Sequence, residues 1–141
     1  MKLYEKVKAF FAGKAEPEHL RTGKRGEQAA KKYLQGQGLK FLLANFRSGK
    51  GEIDLIFREA DCLIFVEVKT RSSEDWTRPA AAVNLDKRRL VTQTARDYMR
   101  KLKDPRVKYR FDIVEVLMKD GAVREVRHLP AAFHAPTWRR K

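Results

Sequence analysis

Two stretches near the middle of the chain decide how it folds: Gly51 to Phe57 reads GEIDLIF, and Leu63 to Lys69 reads LIFVEVK. Each stretch is largely apolar and strand-like, and the polar segment Arg58 to Asp61 between them has the length of a turn. The two stretches therefore predict a β-hairpin. Paired antiparallel strands lie about 4.8 Å apart, so Asp54 and Glu67 can meet across the ladder if the register allows.

The second predicted strand carries two charged residues on one face. Glu67 and Lys69 share the face of Leu63 and Phe65, while the opposite face is apolar throughout. One explanation is an ion pair on the solvated side of an antiparallel sheet. The other is functional, because a strand that is apolar on both faces is usually covered, and charges there need partners or a metal. Two carboxylates and a lysine at such a place form a hard-cation site that suits phosphodiester hydrolysis.

The composition favours a polyanionic partner. The 141-residue chain contains 32 Lys and Arg against 18 Asp and Glu, which gives a net charge of +14 and a pI near 10.2. Each phosphate that a basic side chain neutralises releases counterions, so this excess favours a polyanion such as nucleic acid. Hydrophobic residues make up 43% of the chain, which predicts one folded domain with a sizeable core rather than a disordered basic tail.

The single cysteine, Cys62, excludes an internal disulfide and a cysteine zinc cluster, and is expected to be a small core residue. The three histidines are scattered, and each is expected at the surface or in the tail. No stretch approaches the length of a membrane span, and the N-terminal region lacks a signal-peptide pattern. A reducing, cytoplasmic location is therefore the expectation.

Periodicity and turn residues predict the element order α, β, β, β, α, β, β. A mixed sheet flanked by helices is the natural architecture for this order, so the predicted class is α/β. The second helix is expected to begin near Asn84 or Asp86 and to end at Asp104-Pro105. The other predicted elements are a helix from Thr22 to about Gln35, a strand from Leu39 to Phe46, the central hairpin, a loop over residues 70–80, and strands over Val107–Met118 and Ala122–Leu129.

Two charged residues in the predicted helices each have two readings. Glu27 near the start of the first helix either complements the helix dipole or serves a site. The buried stripe of the second helix is Val91, Ala95, Tyr98 and Leu102, and extending it back by four residues reaches Lys87. That lysine either snorkels at the edge of the core or reaches a site.

Three regions are predicted. Residues 1–20 form a basic amphipathic extension, for which docking on the domain or a partner, or disorder, is expected rather than membrane contact. Residues 21–130 form the domain. Residues 131–141 form a basic tail that can grip nucleic acid.

Taken in order, these residues resemble the PD-(D/E)XK nuclease superfamily. Within it, the chain resembles the YraN family of small bacterial proteins, which is similar to archaeal-type Holliday-junction resolvases. The resemblance covers about residues 20 to 130, with Ile53 in the position of the motif's proline. The matching pieces are Gly26-Glu27 with Ala30, Tyr33 and Leu34, then Asn45-Phe46-Arg47, Gly51 to Ile56, Phe65 to Arg71, Lys87, and Arg110-Phe111-Asp112.

The resemblance implies a restriction-endonuclease-like mixed β-sheet flanked by helices. It implies that Asp54, Glu67 and Lys69 are the catalytic set and that Glu27 joins the metal site. The expected metal is Mg²⁺ or Mn²⁺, held by Asp54 and Glu67, with the Val68 carbonyl as a further ligand. Lys69 is expected to orient the attacking water rather than to act as its base.

The expected function is a metal-dependent endonuclease acting on DNA, with branched DNA as one candidate substrate. Resolvases similar to this fold act as dimers because a four-way junction needs two cuts, so a homodimer is one state that the resemblance allows. The alternatives are a non-catalytic nucleic-acid-binding protein that retains the fold, and an adaptor that uses residues 1–20. Asp112 is expected to be a structural acceptor for Arg110 or for a backbone group. The residues expected to contact phosphates are Arg47, Arg71, Lys87 and Arg110.

Overall fold

The order of helices and strands agrees with the sequence prediction. The computed structural model describes residues 18–72, 85–103 and 106–135. These ranges contain the elements in the predicted order α, β, β, β, α, β, β. The elements are α1 (Glu18–Gly36), β1 (Lys40–Ser48), β2 (Gly51–Glu59), β3 (Cys62–Arg71), α2 (Leu85–Arg100), β4 (Lys108–Lys119) and β5 (Ala122–Phe133).

The strands form one mixed sheet in the order β1-β2-β3-β4-β5. Only β3 and β4 run parallel, and the other neighbours are antiparallel. Parallel strands need a crossover connection, and α2 lies within it. The predicted α/β class and its restriction-endonuclease-like sheet flanked by helices are therefore confirmed. Neither of the described helices is both long and apolar enough to span a bilayer.

The central strand β3 is covered on both faces, as its two-sided apolar sequence predicts. Leu63 and Phe65 join the hydrophobic cluster that contains Val91 and Ala95 of α2. The intervening Ile64 and Val66 join the opposite cluster, which contains Ala30 and Leu34 of α1. Side chains alternate across a strand, so β3 supplies one layer of core to each helix.

Several element boundaries differ from the prediction. Helix α1 begins at Glu18, so Glu27 lies in the middle of the helix. The dipole effect fades within the first turn, and the explanation of Glu27 as a dipole complement is therefore wrong. The turn between β2 and β3 is only Ala60-Asp61, because Ala60 adopts a left-handed φ of 52° that lets the strands run on to meet it.

The ends of α2 and β5 also differ. Leu102 lies beyond the last residue of α2 and is 41% exposed, so it is not part of the buried stripe. Strand β5 continues past the predicted end at Leu129 to Phe133, which is buried and stacks on Phe111. The first residues of the predicted tail therefore belong to the sheet.

Some predictions fall outside the described residues. They concern residues 1–17 of the extension, most of the loop over residues 70–80 with Trp76, the cap at Asn84, the helix end at Asp104-Pro105, and the tail from residue 136 onward.

A buried aspartate fastens the last part of β5 to β4. The register between these strands shifts so that Asp112 alone lies opposite residues 130–132. Its carboxylate accepts hydrogen bonds from the Ala131 N–H at 2.9 Å and from Arg110 Nε at 3.0 Å. His128 Nε2 lies 2.7 Å from it. The expectation that Asp112 is a structural acceptor is confirmed, whereas the expected surface position of His128 is wrong, since that side chain is only 16% exposed.

Replacing Asp112 with alanine should lower the free energy of unfolding by roughly 3 to 5 kcal/mol, because Arg110 and the Ala131 N–H lose a buried acceptor. Burial alone would raise the pKa of Asp112, but hydrogen bonds from His128, Ala131 and Arg110 outweigh it and hold that pKa below its ordinary value of 3.8. The contribution should therefore be complete above about pH 4 and be lost as the pH falls through the lower folded-state pKa.

Urea denaturation of the wild type and Asp112→Ala between pH 3 and 7 measures this contribution. Asp61→Ala is the control, because the Asp61–Lys108 pair is 72% exposed on both sides, and its loss should cost less than about 0.5 kcal/mol. If Asp112→Ala lowered the free energy of unfolding by no more than the control does, Asp112 would not hold the end of β5 on β4.

Candidate functional site

The site lies where β2 and β3 separate. Their ladder runs from Glu59↔Cys62 to Leu55↔Val66 and stops there, whereas β2 stays paired with β1 as far as Gly51. Asp54 and Glu67 are the first residues beyond the ladder. The predicted meeting of these two carboxylates therefore takes place at the end of the ladder, beside a gap between the strands.

A left-handed residue in β1 accompanies this gap. Asn45 has a φ of 55° and lies opposite Asp54, between the pairs Phe46↔Ile53 and Ala44↔Leu55. The pair Phe46↔Ile53 packs on the α2 side of the sheet, and the pair Ala44↔Leu55 packs on the α1 side. In a regular strand, residues two apart in the chain would lie on the same side. Asparagine tolerates this conformation better than most residues. The shift in alternation breaks the regular pleat at Asp54.

Where the ladder has ended, the Asp54 carboxylate supplies a hydrogen-bond acceptor to β3. Its Oδ2 accepts a hydrogen bond from the Val68 N–H at 2.8 Å. The N–H and C=O of one strand residue project to the same edge, so the Val68 carbonyl also opens towards the gap. A carboxylate and a main-chain carbonyl oxygen are thus directed at one place, and both are ligands that Mg²⁺ and Ca²⁺ accept.

Glu67 is held by a lysine from α2. Lys87 Nζ lies 2.6 Å from Glu67 Oε1. The other oxygen, Glu67 Oε2, is buried without a hydrogen-bond partner among the described residues. Burial opposes the charge of Lys87, but the hydrogen bond and charge of Glu67 and the charge of Asp54 outweigh it and raise its pKa. Lys87 therefore reaches the site rather than snorkelling at the edge of the core.

Burial makes the negative charge of Asp54 unfavourable. Its pKa lies well above the ordinary value of 3.8, first because the carboxyl is buried and next because Glu67 is close. The Val68 N–H opposes this shift, while the charges of Glu27 and Glu52 add to it. A carboxyl that prefers to be neutral in the absence of a cation becomes a good ligand once a cation offsets the repulsion.

Two further glutamates contribute to this acidic cluster. Burial and the charge of Glu52 raise the pKa of Glu27 to about 7, against a hydrogen bond from Asn45 that lowers it. Burial also raises the pKa of Glu52, and the charge of Glu67 adds to this, while Arg47 opposes it. The acidic cluster is therefore Glu27, Glu52, Asp54 and Glu67.

These side chains do not form a closed metal cage. Among the described residues, no group of three or more His, Cys, Asp and Glu side chains has the geometry to hold a metal ion. A divalent cation would instead have Asp54, Glu67 and the Val68 carbonyl, with water or phosphate oxygens completing its shell. The unpartnered Oε2 of Glu67 and the raised pKa of Asp54 fit such a cation.

Two glycines bring the helices close to the site. A Cβ on Gly26, the residue before Glu27, would collide with Thr70 Oγ1 at the end of β3. A Cβ on Gly51, the residue before Glu52, would collide with Thr94 Oγ1 of α2. The absence of side chains at these positions lets α1 deliver Glu27 and α2 deliver Lys87 to the gap.

The other predicted residues lie at different distances from the gap. Lys69 is half-buried and, by the regular pairing of β3 with β4, lies on the face of Glu67. Arg47 is exposed and pairs with Glu52 across the β1–β2 ladder. Arg71 contacts the fully buried Glu115 at 2.7 Å, which gives it a structural partner.

Arg110 lies away from the gap. It pairs with Ile64, three residues before Glu67 and about 10 Å away along β3, and it contacts Asp112. The structure thus brings together Glu27, Asp54, Glu67, Val68 and Lys87, places Lys69 beside them, and leaves Arg110 at a distance.

Sequence reasoning gave no role to Glu52 or Asn45. Glu52 lies inside the stretch from Gly51 to Phe57, but strand alternation alone puts it on one face with Asp54 without indicating a shared site. Asn45 carried one signal, namely an asparagine within an otherwise apolar strand, where left-handed backbone favours that residue type.

Fold and site together define the class: an α/β protein with a restriction-endonuclease-like sheet and a carboxylate–lysine cluster at the end of its central strand. The profile of "Uncharacterised protein family UPF0102" matches residues 26–116. The chain belongs to this family, which is the YraN family.

Relatives in this family are similar over most of their length. A UPF0102 protein of Syntrophotalea carbinolica is 38% identical over 121 residues, which cover 86% of this chain and 98% of the relative. One of Rhodococcus opacus is 36% identical, covering 82% and 98%. One of Chlorobaculum parvum is 40% identical, covering 79% and 90%.

Substitutions of two glycines in α1 should have opposite effects on stability. Gly23→Ala should raise the free energy of unfolding by about 0.5 to 1 kcal/mol, because nothing lies within 4 Å of the added Cβ and alanine favours the helix. Gly26→Ala should lower it by about 1 to 3 kcal/mol through overpacking against Thr70. Urea denaturation measures both, and equal stabilisation by the two variants would show that α1 does not approach β3 closely at Gly26.

Proposed function

We propose that this protein is a metal-dependent endonuclease that hydrolyses phosphodiester bonds in DNA. The observation that carries the proposal is the pair Asp54 and Glu67 at the gap, where the buried Oε2 of Glu67 has no hydrogen-bond partner among the described residues. In a chain of net charge +14, binding of a polyanion alone needs no half-buried acidic cluster. Carboxylates repel phosphate unless a cation intervenes, so the cluster favours a metal-assisted reaction.

The metal would be Mg²⁺ or Mn²⁺, held by Asp54, Glu67 and the Val68 carbonyl, with Glu27 in the surrounding acidic cluster. When bound, such an ion polarises the scissile phosphate and lowers the pKa of a water ligand. Asp54 and Glu67 would hold the ion between β2 and β3. Burial and the charge of Glu52 raise the pKa of Glu27 to about 7, so Glu27 can accept a proton from a nearby water at neutral pH.

Lys69 is the residue that we assign to the reacting phosphate. It follows Glu67 by two residues on the same face of β3, and its ammonium can orient the attacking water and offset developing negative charge. We therefore assign it orientation of the water rather than proton abstraction.

The basic surface supports nucleic acid as the partner. Between Arg21 and Gly36 of α1, Glu27 is the only acidic residue, and it takes part in the half-buried acidic cluster. We place the reaction in the cytoplasm, with DNA as substrate and branched DNA as one candidate, for which a homodimer would supply two cuts. The basic residues on the same part of α1 are Arg21, Lys24, Arg25, Lys31 and Lys32.

Removal of either carboxylate should weaken metal binding. Asp54→Asn and Glu67→Gln should each raise the Kd for Mn²⁺ by at least about tenfold, since even outer partners of metal ligands contribute 10- to 100-fold. Binding should weaken as the pH falls, because Mn²⁺ must displace the proton that the raised pKa of Asp54 retains. Isothermal titration calorimetry measures this, with the exposed Asp120→Asn as control.

Cleavage is tested with Mg²⁺ and Mn²⁺ on duplex, single-stranded, flap and four-way DNA. The wild type should cut at least one of these substrates, and Asp54→Asn should cut none. Mn²⁺ binding without cleavage of any substrate would favour a non-catalytic nucleic-acid-binding protein. Equal Mn²⁺ affinity in the wild type, Asp54→Asn and Glu67→Gln would contradict a metal site at these carboxylates.

Lys69→Ala should reduce the cleavage rate about 10²- to 10⁴-fold, the range typical of a positioned catalytic group. Affinity for DNA and Mn²⁺ should change little, because Lys69 contributes one of many basic charges. Single-turnover cleavage with saturating enzyme separates the two effects, and the exposed Lys50→Ala is the matched control. An unchanged single-turnover rate would assign Lys69 a structural role only.

A further inference from the structure

The cation beside Glu67 is a side chain of the protein itself. Lys87 Nζ lies on Glu67 Oε1 at 2.6 Å, and the Lys87 side chain is 47% exposed whereas that of Glu67 is 11% exposed. The ammonium thus reaches a buried carboxylate from a helix end whose first residues, Leu85 and Asp86, are exposed. Such a side chain can leave for solvent without unpacking the core.

The acidic cluster explains why this ammonium is present. Glu27, Glu52, Asp54 and Glu67 lie close enough for their charges to interact. Buried carboxylates without a counterion are strongly unfavourable, and removal of one partner of a buried ion pair is costly. Lys87 therefore stabilises the fold when no other cation is at the site.

Lys87 could strengthen metal binding by orienting Glu67, or weaken it by repelling the metal ion. The sizes of the two effects decide between these roles. If Lys87 only oriented Glu67, it would raise metal affinity by about 10- to 100-fold. Repulsion between a doubly charged ion and an ammonium about 5 Å away corresponds to more than about 10³-fold at an effective dielectric constant of about 20. Repulsion is therefore the larger effect. Because the Lys87 side chain is half-exposed, it can move into solvent when a metal ion binds Glu67.

We propose that Lys87 is the internal counterion of the metal-free site, that a divalent cation displaces it from Glu67, and that the released ammonium then binds a nucleic-acid phosphate. This inference rests on the proposed function. In this role Lys87 is a positioning residue that couples binding of the divalent cation to binding of nucleic acid. The cation frees a positive charge for the polyanion, and by linkage the polyanion favours the cation.

Calorimetry with Mn²⁺ on the wild type, Lys87→Met, Lys87→Arg and Arg100→Met tests the displacement. Lys87→Met should bind Mn²⁺ about fivefold more tightly or better, the lower end of typical couplings between ligands. Lys87→Arg keeps the charge and should stay near wild type. Arg100→Met removes a charge from the same helix about 20 Å away and should leave the affinity unchanged.

Thermal unfolding supplies a second readout. Without metal, Lys87→Met should have a lower Tm than the wild type, and Mn²⁺ should raise its Tm by more. If Lys87→Met fails to fold without metal, recovery of folding by Mn²⁺ supports the proposal, and failure to recover overturns it. Unchanged or weaker Mn²⁺ binding by a folded Lys87→Met also overturns it.

The coupling to nucleic acid is measured by binding to a short DNA duplex with and without Mn²⁺, with Lys69→Ala in every protein to slow cleavage. Mn²⁺ should strengthen binding, and Lys87→Met should reduce that gain while Arg100→Met preserves it. An equal gain with and without Lys87 overturns the transfer to phosphate. Wild-type protein that binds no Mn²⁺ overturns the proposed function itself, whereas the other negative outcomes overturn only the role of Lys87.

Discussion

The hydrogen bond from the Val68 N–H to Asp54 Oδ2 is the interaction on which the site depends. When β2 leaves β3 after Leu55↔Val66, the backbone groups of β3 lose their partners at a half-buried position. Backbone donors inside a protein must be paired, and a side chain from the departing strand supplies the acceptor. The gap is therefore stable, and one carboxylate and one carbonyl remain directed into it.

Two aspartates, the buried Asp112 and the half-buried Asp54, show how surroundings shift the pKa of a carboxyl in opposite directions. Asp112 is surrounded by donors, namely Arg110, His128 and the Ala131 N–H, and its pKa is lowered despite burial. Asp54 has a main-chain donor but acidic neighbours, and its pKa is raised. The first carboxylate is satisfied by the protein. The second keeps a raised pKa among acidic neighbours, and strongly perturbed pKa values cluster at functional sites.

Close packing and electrostatics act together at the gap. Gly26 and Gly51 let the two helices approach β3 and β2 closely, and that approach brings Glu27 and Lys87 towards the same place. Helix α1 thereby brings Glu27 towards the carboxylates of β2 and β3, which costs stability, and the ammonium of Lys87 from α2 offsets part of that cost. The left-handed backbone at Asn45 is a further local strain beside the site.

The sequence by itself determined the element order, the two-sided burial of β3, and the placement of Asp54 and Glu67 on adjacent strands. These features follow from periodicity and turn residues, which are local. Only the tertiary structure decided that the ladder ends at Leu55↔Val66, that Lys87 pairs with Glu67, and that Asp112 fastens β5. Those outcomes depend on contacts between residues far apart in the chain, and local patterns carry no information about which distant side chain completes a buried charge.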